Sequence, residues 1–253
     1  MPQTSLAVLV AHADKLLNTS GIGDYDGAAN GLQVENSGEV TRIAAAVDAS
    51  LATVKLAIKA NANLLVVHHG LFWSKSHPWT GKKYELIRAL IENNIAVYSS
   101  HLPLDAHPKL GNSAQLCAAL GFKKMRPFFH SHGQPIGLQT AVAISRDELA
   151  LKLGRATNSK PLVIPSGAEM CRRIGVVTGG AGGDLKSAAA EGVDTFITGE
   201  GPHWTYALAE ELGINVLYAG HYATETFGVK ALSAHLSKQF RVPWVFLDHP
   251  TGL

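Results

Sequence analysis

Cysteine is nearly absent. Its two occurrences, Cys117 and Cys171, exclude a disulfide framework and a Cys-rich metal site. Charge of one sign is also lacking: Lys+Arg 22 against Asp+Glu 20 leaves a formal net charge of +2. Basic runs stop at the pairs Lys82-Lys83, Lys123-Lys124 and Arg172-Arg173. A nucleic-acid groove or an anionic membrane surface is therefore disfavoured as a partner. No apolar run approaches the roughly 18 residues of a membrane span. The apolar patch Leu6–Ala11 lacks a basic start and a small-residue cleavage site, so it does not read as a signal peptide. Leu6, Leu9, Ala13 and Leu16 instead keep helical spacing, with Thr4 or Ser5 able to cap. The expectation is a soluble protein of a reducing, cytoplasmic compartment.

What is present is apolar material and histidine. The chain has 253 residues and is 46% hydrophobic, enough for one large domain or two modest ones. Histidine occurs 12 times, against 8 Phe and 6 Tyr. In a nearly neutral, Cys-poor chain this raises the question of whether imidazoles meet at a metal.

Strand and helix patterns alternate. Residues 20–41 hold Gly21, Gly23, Gly27, Gly31 and Gly38 and read as loop, with a short strand at Leu32–Val34. RIAAAVDAS is an apolar strand ending in Asp48 and Ser50, which can cap the helix LATVKLAIKAN. NLLVVHHG is a strand, KKYELIRALIENN a helix, IAVYSSH a strand, and GNSAQLCAALGF a helix closed by Gly121. This favours a mainly parallel sheet with helices packed on it.

The chain also matches itself. At a shift of 131, Arg42, Ile43, Lys55, Ala57, Gly70 and Trp73 fall on Arg173, Ile174, Lys186, Ala188, Gly201 and Trp204. At a shift of 120, Tyr98, His101 and Asp105 fall on Tyr218, His221 and Glu225. We therefore expect an internal duplication into two α/β domains, 1–124 and 125–253. Within the second, GLQTAVAI (strand), RDELALKLGRAT (helix) and PLVIP (strand) lie in a stretch, 123–172, that has no counterpart in the first and enlarges the second sheet.

In such sheets ligands bind beyond the carboxyl ends of the strands. His68 and His69 end LLVV directly, and Gly70 frees the backbone for both rings to reach one pocket. His101 ends IAVYSS and precedes Asp105; His221 ends VLYAG and precedes Glu225. A spacing of four puts His221 and Glu225 on one helix face. Imidazole and carboxylate donors suit Zn, Fe, Mn or Co, and a pair of such ions can share and activate a water. A lone strand-end histidine is more often a surface or capping residue; the grouping is what favours ligation. His130 and His132 read as loop residues, and His203 lies near the strand-end rim. His12, His77, His107, His235 and His249 have no supporting neighbours in sequence. GGAGGDLKS imitates a phosphate loop, but Leu185 stands where the nucleotide motifs need Gly, so it reads as a tight strand-to-helix turn with free N–H groups.

NGLQV at 30–34, VVHHGLFW at 66–73, YSSHLPLDAH at 98–107, DTFITGE at 194–200 and GHYATETFG at 220–228 together resemble the Nif-three-like family, whose members are often labelled GTP cyclohydrolase 1 type 2 homologues. The resemblance implies two similar α/β domains with a dinuclear metal site in the cleft between them. It implies that His68 and Asp105 hold one ion, that His69 and His221 hold the other, and that Glu225 bridges both. His101 would be a neighbouring, substrate-facing acid–base group, with Glu225 the other catalytic residue. It further implies a toroidal homohexamer, a trimer of dimers, in the compact form without an inserted domain. The activity expected is a metal-dependent hydrolase acting on a nucleotide such as GTP or another small molecule. The alternatives are a phosphoesterase, or a non-catalytic metal-binding ring or scaffold.

Overall fold

The structure, a computed structural model, describes residues 3–73 and 78–253; His77 lies outside the described residues. In chain order the first elements are β1 (Thr4–Ser5), α1 (Leu6–Leu17), β2 (Gly31–Val34), β3 (Glu39–Val40), β4 (Ile43–Asp48), α2 (Leu51–Lys59), β5 (Leu64–His69), α3 (Lys82–Glu92), β6 (Ala96–Ser99) and α4 (Leu102–Asp105). Then come α5 (Asn112–Ala119), β7 (Arg126–Ser131), β8 (Gln134–Ser145), α6 (Arg146–Thr157), β9 (Leu162–Pro165) and β10 (Met170–Val176). A 3-10 turn (Ala181–Asp184), α7 (Leu185–Ala190), β11 (Thr195–Thr198), α8 (Thr205–Leu212), β12 (Asn215–Tyr218), α9 (His221–Phe240) and β13 (Trp244–Phe246) complete the chain.

The fold is α/β, and it divides into two compact units, Met1–Leu104 with Gly228–His249 and Asp105–Phe227 with Pro250–Leu253. These differ from the expected halves 1–124 and 125–253, for a packing reason. Leu116, Cys117 and Leu120, on and just after α5, are buried with Leu149, Leu153 and Ile174 in a core of the second unit. The C-terminal strand β13 instead lies parallel beside β4 and extends the first sheet.

The first unit holds a five-stranded sheet in the order β13-β4-β5-β6-β2. Only β2 is antiparallel to its neighbour. β4 and β5 are buried along all but their last residue and β6 throughout, which explains their unbroken apolar runs: parallel strands covered on both faces need no polar alternation. The cap expected at Ser50 is present as a capping box. Its hydroxyl accepts from Thr53 N–H at 3.2 Å, and its own N–H donates to Thr53 Oγ1 at 2.9 Å. Asp48 does not share that task. It is the ladder partner of His69, so both residues reach the carboxyl edge of the sheet together.

The second unit holds a six-stranded sheet in the order β7-β8-β10-β11-β12-β9. Only its centre, β10-β11-β12, is parallel; β7, β8 and β9 join antiparallel. The stretch 123–172 enlarges this sheet as expected, and adds the hairpin strand β7 besides. His130 lies in that strand, and His132 sits in the hairpin turn with φ 49°.

The two sheets share a register. Ile43 pairs with Leu64 and Ile174 with Thr195, so both partners move by the same 131 positions. The next strand does not follow the shift of 120. Tyr98 pairs with Val66, whereas Tyr218 pairs with Thr198, the counterpart of Val67. The ladders are therefore related by 119, and a one-residue slip turns a strand side chain to the opposite face. Tyr98 and Tyr218 are not equivalent positions.

Candidate metal centre

In the first unit, three imidazoles gather at the carboxyl edge. His68 and His69 close β5, and His101 follows β6. A ring nitrogen of each lies within 4.8 Å of one on the others. The His68 and His69 rings stand 4.8 Å apart and tilted by 45°, so strand alternation has not separated them. Gly70, which follows them, makes room for Gln33 and Ser99, through space and not through an unusual φ. A Cβ there would lie 2.6 Å from Ser99 Oγ and inside the Gln33 amide. That amide is occupied holding the strand ends: its oxygen accepts from Leu71 N–H at 2.6 Å and its nitrogen donates to the Ala29 carbonyl at 2.6 Å.

The same nitrogen is anchored in every ring. His68 Nδ1 lies 3.0 Å from the Ser100 carbonyl, His69 Nδ1 2.8 Å from Asp48 Oδ1, and His101 Nδ1 2.8 Å from Asp24 Oδ1. A carbonyl or carboxylate oxygen can only accept, so Nδ1 carries the proton and donates. In the neutral ring this places the lone pair on Nε2. Asp24 is itself held firmly. Its Oδ2 accepts from Asn30 Nδ2 at 2.7 Å and from Leu102 N–H at 3.1 Å, while Asn30 Oδ1 accepts from His101 N–H at 2.7 Å. Burial would raise the Asp24 pKa, but the bonds from His101, Asn30 and Tyr25 N–H outweigh it and hold the carboxyl at about 2.

The second unit carries a similar arrangement. His221 opens α9, and its Nδ1 lies 2.7 Å from Glu200 Oε1. Its Nε2 lies 3.1 Å from Oε2 of Glu225, one helical turn on, as the spacing of four implies. Glu225 is buried. Burial opposes charge on the His221 ring, but Glu225 and Glu200 outweigh it and raise its pKa to about 9. A carboxylate at each ring nitrogen favours positive charge on or beside this imidazole. The turn read as a phosphate-loop imitation forms the wall here. Gly179 has φ +72°, and a Cβ on it would run into Glu225 Oε1. Its N–H donates to Thr224 Oγ1 at 3.0 Å, and its carbonyl accepts from Thr198 Oγ1 at 3.0 Å.

The remaining site residue expected from sequence is Asp105. It ends α4 in the second unit, and its Oδ1 accepts from the buried Asn112 amide at 2.9 Å. The remaining histidines divide. His132 Nδ1 lies 2.9 Å from Ser131 Oγ in the hairpin turn, His203 is exposed before α8, and His107 Nδ1 accepts from Leu110 N–H at 2.9 Å. His12 and His235, without neighbours in sequence, meet each other in space. The carboxylates Asp24, Asp48 and Glu200 were not singled out as site residues from sequence. The signal for two of them was an acidic residue at the end of the preceding parallel strand.

This donor set fits divalent metal: nitrogen ligands whose far ring nitrogen is fixed by an oxygen, the arrangement that orients metal-binding histidines. A family model described as Duf34/NIF3 (NGG1p interacting factor 3) matches residues 5–251. The chain belongs to the Duf34/NIF3 family. It is 41% identical over 235 residues to a GTP cyclohydrolase 1 type 2 homolog of Deinococcus radiodurans, covering 92% of this chain and 89% of that one. It is 39% identical over 249 residues to the protein of the same name from Pseudomonas aeruginosa, covering 97% and 98%. A crystal structure of a Thermus thermophilus protein is similar at a TM-score of 0.92 and 39% identity, covering 99% of this chain and 100% of that one. The chain thus covers most or all of the length of each of these relatives.

Proposed function

We propose that this NIF3-family protein holds two divalent metal ions, Zn, Fe, Mn or Co, and acts as a metal-dependent hydrolase. In this reading His68 and Asp105 would hold one ion and His69 and His221 the other, with Glu225 shared between them. The observation that carries it is the anchoring of Nδ1 in His68, His69 and His221 by an oxygen acceptor, which makes Nε2 the nitrogen of each neutral ring able to ligate. Bound ions would supply Lewis acidity and lower the pKa of a water to near neutrality.

The chain's own groups have separate tasks. Glu225 places a buried carboxyl against His221, and so favours positive charge there. His101 is oriented by Asp24 and Asn30, while the edge of Trp73 packs against it with ring centroids 4.8 Å apart. Its Nε2 can hold a proton or deliver it to a leaving group, the role of a general acid–base. The substrate is a small molecule with an electrophilic carbon or phosphorus. A nucleotide ring carbon is the target under the cyclohydrolase name its relatives bear, and a phosphoester is the competing one. A homohexameric, cytoplasmic protein completes the reading. Among the described residues no helix is long and apolar enough to cross a membrane.

Metal analysis of the purified protein tests this directly. Two equivalents are expected, with a clear loss in His69→Ala; unchanged content in the variant refutes the ligand set. A screen of nucleotides and phosphoesters with Mn²⁺, Zn²⁺ or Fe²⁺ then separates hydrolase from scaffold. Two bound ions and no turnover would favour the metal-binding ring.

A further inference from the structure

A polar cavity of about 460 Å³ opens in the first unit, where Asp14, Thr19, Ser20, Asp24, Tyr25 and Asn30 supply its polar lining. Among the described residues no lysine, arginine or histidine lines it. Asp24 is spent inside the protein. Its Oδ1 accepts from His101 and from Tyr25 N–H, each at 2.8 Å, and its Oδ2 from Asn30 and Leu102 N–H. Asp14 is different. Its Oδ1 accepts from the Tyr98 hydroxyl at 2.9 Å, while its Oδ2 has no partner among the described residues. Tyr98 is fully buried, so that bond fixes the carboxylate from inside the fold. Tyr25 is 55% exposed, and its ring centroid stands 5.8 Å from that of His101.

We propose that this cavity is an amine-binding subsite of the strand-end site: it takes the protonated amino group of a small organic substrate, with Asp14 as counter-charge and the Tyr25 ring as a face for the cation and its carbon body. That the amine belongs to a substrate rests on the hydrolase reading above; that it binds does not. Charge argues first. Two carboxylates with no cation on the lining repel a phosphate and attract an ammonium. Ligand number argues against a metal here. With both Asp24 oxygens engaged, one carboxylate oxygen is left on Asp14, whereas Ca²⁺ and Mg²⁺ collect six or more oxygens. An ammonium has three donors to place and gains from an aromatic face, and Asp14, the neighbouring hydroxyls and Tyr25 offer that combination. Position supplies the link to chemistry. Asp24 and Tyr25 both touch His101, so an amine held between Asp14 and Tyr25 leaves the rest of its molecule beside the acid–base group.

The bland alternative is a cleft that holds only water. Titration of phenethylamine into the chelator-treated full chain, followed by NMR of the protein, separates the two. Phenethyl alcohol and phenylacetate keep the ring and replace the ammonium with a neutral and an anionic group. The amine should bind most tightly and phenylacetate not at all, and His101 resonances should shift as the amine binds. Asp14→Asn keeps an acceptor for Tyr98 and should weaken the amine about tenfold while leaving the alcohol unchanged. Tyr25→Ala should weaken it about threefold. Ser20→Lys, at an exposed position on the lining, should abolish it. Equal affinity for amine and alcohol, or for parent and Asp14→Asn, overturns the proposal, and binding without a shift at His101 overturns the link to the strand-end site. If Asp14→Asn does not fold, Ser20→Lys decides: undiminished binding of the amine overturns the proposal equally. Metal is absent throughout, so a failed metal assignment leaves these results standing, and a failed amine titration leaves the metal content of the parent untouched.

Discussion

Asp48 and His69 end adjacent parallel strands as ladder partners, and Asp48 Oδ1 sits 2.8 Å from His69 Nδ1. The carboxylate fixes the ring, and would act on a bound metal through it. Removing it with Asp48→Ala should lower metal affinity about 10–100-fold while leaving the fold in place, since Asp48 is one-third exposed. Asp48→Asn keeps an acceptor oxygen and should lose less. Competition with a chelator of known affinity measures both. Equal affinity in the parent and Asp48→Ala would mean that the ring orients itself.

Much of this architecture is legible in the chain itself. The strand and helix patterns read correctly because fully buried parallel strands show as unbroken apolar runs. His68 with His69, and His221 with Glu225, stand out because adjacency and helical spacing are written in the chain. Their partners are not legible. Asp48 lies 21 positions before His69, and Glu200 lies 21 before His221. Each reaches its histidine through a strand–helix–strand crossover whose register no local pattern states. Asp24 approaches His101 across 77 positions from a glycine-rich loop, and His12 meets His235 across 223. The unit boundaries escape for a related reason: which core takes α5, and which sheet takes β13, is settled by packing at a distance.

Asp24 should set an acid limit on stability. Its pKa falls from 3.8 unfolded to about 2 folded, because the bonds from His101, Asn30 and Tyr25 outweigh the opposing effect of burial. A depressed carboxyl stabilises the fold above its unfolded pKa and loses that contribution as pH falls through the folded one. The contribution is about 2 kcal/mol, from the size of the shift. Asp24→Asn should therefore lower stability at neutral pH and flatten its dependence between these values. Urea unfolding over that range is the check, and an unchanged pH slope would contradict it.

His221 should act in the opposite direction in metal-free protein. Its pKa rises from 6.5 to about 9; burial opposes the charge but Glu225 and Glu200 outweigh it. A raised histidine stabilises the fold fully below its unfolded pKa and loses that contribution as pH climbs through the folded one. Chelator-treated protein should thus lose Tm as pH rises from 6.5 towards 9, and His221→Ala should not. Metal competes with the same proton, so loaded protein should show the smaller loss. A Tm of metal-free protein that is flat across this window would exclude the carboxylate pairing as the cause.

Gly179 tests the wall of the second-unit site. Its φ of +72° disfavours any side chain, and a Cβ would meet the Glu225 carboxylate. Gly179→Ala should cost about 1–2 kcal/mol for the backbone alone. It should also push Glu225 from His221 and reduce bound metal. Ser50→Ala makes the contrast. It removes the capping box of α2 and should cost about 1 kcal/mol with metal content unchanged, because the Ser50 hydroxyl bonds within its own helix terminus. Thermal unfolding and metal analysis on both variants distinguish a loss of stability from a loss of site. If Gly179→Ala retained full metal content, the close approach of the turn to Glu225 would be unnecessary for binding.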